Sequence, residues 1–72
     1  MTVDEFLEAF AGQIGVPVPS REEADALLEV ASIAAHASER AAAPLACWMA
    51  GASGVPPAEL LAAARRAAPD AD

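Results

Sequence analysis

Ser32 and His36 are the residues whose types and spacing come nearest to catalytic chemistry. Four positions apart on a helix, they share one face and lie within hydrogen-bond reach. A hydrolase uses such a pair as nucleophile and base, with a carboxylate to orient the base. Glu29 or Glu39 could be that third group. The other requirements are missing. A serine in mid-helix lacks the strained, exposed turn that presents a nucleophile, and no oxyanion-hole loop is visible. The same seam invites a metal reading through Glu22, Asp25, Glu29 and His36. Acids spaced along an exposed helix face are ordinarily just solvated, and no Glu-x-x-His pair recurs on two helices as a di-iron bundle demands. A structural zinc is out of reach, because one cysteine, Cys47, and one histidine cannot supply four ligands. Cys47 lies near a helix start, where a thiol can be activated. A small packed or surface thiol is the simpler reading.

Two groups point instead to recognition. Trp48, the only tryptophan, and Met49 are residue types common in binding surfaces. A short helical domain also needs large side chains inside, so the pair reads either as core or as part of a partner groove. His36, Glu39 and Arg40 crowd the end of a helix just before Pro44. There Arg40 would neutralise the last carbonyls and pair with an acid, fixing the turn. The functional reading makes this corner an anchor for a partner's carboxylate or phosphate. Arg40 and Trp48 together would also grip an anionic aromatic ligand, such as a pterin or nucleotide fragment.

Four helices must position these residues. The first is expected over Val3–Ile14, opened by the capping box of Thr2 and Glu5 and closed by Gly15. Its apolar face is Val3, Phe6, Leu7, Phe10 and Ile14. Val16-Pro17-Val18-Pro19 is a stiff connector whose valines are expected to cover one end of the core. The second helix starts at Ser20, which forms a capping box with Glu23, and runs to about Ser38 or Arg40. Its stripe of Leu27, Leu28, Ala31, Ala34 and Ala35, widened by Val30, Ile33 and Ala37, marks a central helix with neighbours on two sides. The third is expected over about Pro44–Ala52, with Pro44 at its first position and Leu45, Trp48 and Met49 on one face. The fourth follows Val55-Pro56-Pro57, buries Leu60, Leu61, Ala64 and Ala68, and stops at Pro69. The spacing therefore predicts an all-α fold, a compact bundle or orthogonal array of four short helices. Residues 1–72 form a single helical domain, with 69–72 as a frayed tail.

Composition narrows the function. Seventy-two residues allow one domain with a marginal core, and a lone cysteine rules out an internal disulfide. Association with a partner or a second copy is the remaining route to extra stability. Four arginines, no lysine and a net charge of −7 disfavour nucleic acid and anionic membrane surfaces. No apolar run of eighteen residues exists, and the first residues are acidic rather than basic. A cytoplasmic protein is the simplest expectation, and a free cysteine suits that reducing compartment.

The segment His36-Ala37-Ser38-Glu39-Arg40-Ala41-Ala42-Ala43-Pro44-Leu45 carries a resemblance. It is similar to the H-x-x-E-R-x-A-A-P-L core of a small helical domain family of unknown function from high-GC bacteria. The opening Met1-Thr2-Val3-Asp4-Glu5-Phe6-Leu7 resembles that family's M-T-x-D-E-W-L start. Phe6 stands where members commonly carry Trp, and Ala41 where many carry Pro. The resemblance covers the chain from Met1 to about Leu61. Such domains occur alone or fused C-terminally to a molybdenum-cofactor guanylyltransferase-like nucleotidyltransferase. The resemblance implies a role beside molybdopterin guanine dinucleotide synthesis or the enzymes that use it. It does not bring catalysis, because this chain has no Gly-rich nucleotide loop.

The expectation is a non-catalytic accessory or interaction domain without a cofactor, not an enzyme. Its partner would be a nucleotidyltransferase, a molybdoenzyme or a second copy, met through His36, Glu39, Arg40, Trp48 and Met49. The alternative is a small-molecule binding helical domain for a pterin or nucleotide.

Overall fold

The computed structural model describes residues 1–69, which form four helices and no strand. They are α1 (Val3–Ile14), α2 (Arg21–Ala37), α3 (Ala42–Ser53) and α4 (Pro57–Ala67). The all-α fold class read from the spacing is therefore the one observed. The expected frayed tail falls mostly on residues 70–72, outside the described part.

The helix ends follow from local chemistry. Thr2 Oγ1 accepts from the Glu5 amide at 3.1 Å, and Glu5 accepts in return from the Thr2 amide at 2.8 Å. Ser20 and Glu23 repeat the exchange at 3.1 and 2.9 Å. Each box satisfies two backbone donors that a helix start leaves unpaired. Gly15 closes α1 in the left-handed region, with φ 76° and its N–H on the Ala11 carbonyl at 2.8 Å. Pro57 opens α4 at its first position, and Arg65 and Arg66 occupy its last turn.

α3 begins two residues earlier than the sequence suggests. The Ala42 and Ala43 amides bond back to the Glu39 and Arg40 carbonyls at 2.9 and 3.1 Å, so a tight turn feeds straight into the helix. Pro44 consequently sits at the third helical position, not the first. It is still in the opening turn, where a missing N–H costs nothing.

α2 is central, with α3 and α4 packed against it, as its wide apolar girth predicts. Among the described residues the buried apolar ones are Val30 on α2 and Ala50 on α3. Around them Leu27, Ile33, Cys47, Leu60 and Leu61 are only half-buried. The seams are filled mostly by alanine, which forms helix well but contributes little buried area.

Several large residues expected inside lie outside. Leu28 is exposed, and so are the connector valines Val16 and Val18. α1 touches the rest of the chain lightly. Leu7 and Ala11 are half-buried, while Val3, Phe6, Phe10 and Ile14 face outward. The physical reason is volume, since the surfaces that would face these residues are mainly alanine.

Candidate functional site

The polar corner is built by the end of α2. His36 Nδ1 lies 2.7 Å from the Ser32 carbonyl oxygen and 3.4 Å from Ser32 Oγ. A carbonyl oxygen only accepts, so Nδ1 carries the proton that this short contact needs. A protonated Nδ1 cannot take a proton from the Ser32 hydroxyl. The dyad geometry thus ties His36 to its own helix backbone and leaves Ser32 unactivated.

Glu39 and Arg40 are exposed in the turn from α2 to α3, held by their backbone carbonyls. Among the described residues Arg40 forms no ion pair with an acid. Among the described residues the ion pair is Arg65–Glu29, 3.8 Å apart on α4 and α2. Both its side chains are well exposed, so it adds little stability. Glu22, Asp25, Glu29 and His36 do not converge, and no three metal-ligating groups come together among the described residues.

α3 supplies the apolar half of the site. Ala43, Ala46, Cys47 and Ala50 recur at helical spacing and turn inward. The Cys47 thiol points at the Leu27 carbonyl of α2, 3.9 Å away, which makes it a packing group in the α2–α3 seam. The opposite face carries Leu45, Trp48 and Met49, at 66, 75 and 66% exposure. This corrects the reading of Trp48 and Met49 as core. The inward face of α3 needs only small residues to meet α2, which leaves the large ones on the outside. α3 contains no charged residue at all, so it is apolar all round, a pattern that belongs to a helix covered on both sides.

The structure does not join the two halves. No hydrogen bond or ion pair links His36, Glu39 or Arg40 to Trp48 or Met49 among the described residues. Three clefts lie among the described residues with neither Arg40 nor Trp48 in their lining. One of them, an open groove of about 490 Å³, lies between α1, the connector and α2, with Cys47 of α3 at its edge. Val3, Leu7, Val18, Leu27 and Leu28 form its apolar walls, with Arg21 and Asp25 among its polar groups.

The family description Domain of unknown function (DUF6457) matches residues 1–71. The chain belongs to the DUF6457 family. No curated protein and no solved structure matches this DUF6457 chain. Its two most exposed apolar regions had different visibility in the sequence. The α3 face was half visible, because Trp48 and Met49 read either as core or as a partner groove. The α1 stripe was not, because its periodicity shows that a face exists but not what covers it. The available signal was the scarcity of large residues elsewhere in the DUF6457 chain to pack upon it.

Proposed function

We propose that this DUF6457 chain is a non-catalytic accessory domain that works in the cytoplasm by binding another protein. The observation that carries this reading is the outer face of α3, where Leu45, Trp48 and Met49 stand exposed on a helix without charge. An uncovered apolar patch centred on a tryptophan is the usual anchor of a protein interface. His36 at the end of α2, with Glu39 and Arg40 in the turn that leads directly into that helix, offers the polar groups of an interface rim. Its net charge of −7 argues against nucleic acid and membrane surfaces as the target.

The resemblance suggests the partner: a molybdenum-cofactor guanylyltransferase-like protein, or a molybdoenzyme that uses the cofactor, in a high-GC bacterium. Co-expression of this chain with each, followed by co-purification, tests the proposal. Binding is expected, and Trp48→Ala is expected to weaken it about 30-fold or more, the loss of one interface hot spot. Wild-type chain that binds neither protein would remove the reading. The alternative, a helical domain gripping a pterin or guanine nucleotide between Arg40 and Trp48, has less support, because the clefts among the described residues that lie along α1, α2 and α4 take neither residue into their lining. Titrating these ligands is expected to leave Trp48 fluorescence unchanged.

A further inference from the structure

Beyond α3, the apolar stripe of α1 remains uncovered, and its order along the helix says what fits it. Phe6 and Phe10 stack on each other with ring centres 5.7 Å apart, and both are about half exposed. Val3 and Ile14 extend the exposed line to both ends of the helix. Leu7 and Ala11 complete the stripe on the side that leans on the chain. We infer that α1 pairs with α1 of a second copy, antiparallel, about a two-fold axis between residues 8 and 9.

The stripe is self-complementary in that arrangement. Val3 comes level with Ile14 of the second copy, Phe6 with Ala11, and Leu7 with Phe10. Every position of the stripe comes level with another position of the stripe, the pattern an isologous interface requires. The charges agree. Asp4, Glu5 and Glu8 all lie in the first half of α1, and they come level with Gln13, Gly12 and Ala9. A parallel pairing would instead set each acid beside its own copy.

The surface area points the same way. The chain exposes 5549 Å². A folded monomer of 7.3 kDa should expose about 4,200 Å². The excess is above the ~800 Å² per partner that a stable interface covers, and the exposed faces of α1 and α3 share it. With so small a core, a partner made at the same time and in the same amount is the one on which folding can depend.

Light scattering of the full chain over a dilution series should give twice 7.3 kDa at the upper concentrations. Phe10→Glu should raise the dimer dissociation constant about 30-fold or more, with helix content by circular dichroism retained. Trp48→Ala should leave the dimer intact. The register has its own test, in a Cys47→Ala background. The double variant Val3→Cys, Ile14→Cys should cross-link into covalent dimers on mild oxidation. Either single variant should not, because like positions lie about 16 Å apart in the antiparallel pair. A monomer at every concentration would overturn the inference. So would a dimer broken by Trp48→Ala but not by Phe10→Glu, or single variants that cross-link as well as the double. Co-purification with the molybdenum-cofactor proteins is a separate readout, so either proposal can fail without the other.

Discussion

Glycine has opposite meanings at two positions of this chain, and a single substitution type separates them. Gly15 holds φ 76° to turn the chain out of α1, a conformation that any side chain resists. Gly51 lies inside α3 with ordinary helical backbone, and a Cβ added there would meet nothing within 4 Å. Gly15→Ala should therefore destabilise by about 1–2 kcal/mol. Gly51→Ala should stabilise by about 0.5–1 kcal/mol, because alanine loses less freedom in a helix. At this size about 1 kcal/mol moves the melting temperature by about 4–8 °C, so thermal unfolding should show shifts of opposite sign. Equal signs would mean that α3 or the Gly15 turn is not built as described. His36 belongs to the same scale. Its bond to the Ser32 carbonyl is a local property of one helix turn, and the sequence showed the pairing without showing which oxygen it would use.

Helix ends were legible in the sequence because their causes are local. The Thr2–Glu5 and Ser20–Glu23 boxes, Gly15 and Pro57 each act within four residues. Packing was less legible because it depends on volume summed over distant segments. The stripe on α2 correctly marked a central helix. It could not show that alanine-lined neighbours would leave Leu28 outside, or that α1 would find so little to lean on. This contrast has a measurable consequence. Loss of a capping hydroxyl costs about 1 kcal/mol in either helix. Ser20→Ala acts on α2, to which α3 and α4 both hold, so it should lower global stability by that amount. Thr2→Ala acts on a twelve-residue helix that is marginal by itself. It should speed amide exchange in α1 while leaving the α2 amides nearly unchanged in dilute solution. Equal exchange in both helices would show that α1 is tied to the core more firmly than its contacts indicate.

For the whole molecule, apolar surface and net charge pull in opposite directions. Four arginines against eleven acids keep an alanine-rich chain dissolved, and they also make two copies repel. The antiparallel register keeps the α1 acids apart locally, but it cannot remove the long-range repulsion between two chains of charge −7 each. Salt screens that repulsion over a distance of about 10 Å at 0.1 M, while apolar burial is not weakened by it. A dimer built on the α1 stripe should therefore tighten as salt rises from about 0.02 to about 0.5 M. Because folding and association are linked, its melting temperature should climb with both salt and protein concentration. Sedimentation equilibrium and thermal unfolding at two salt levels decide the matter. Docking on a basic protein would respond in the opposite sense, since screening removes attraction between unlike charges. An assembly that loosens with salt would place the acids in the contact and take the apolar stripe out of it.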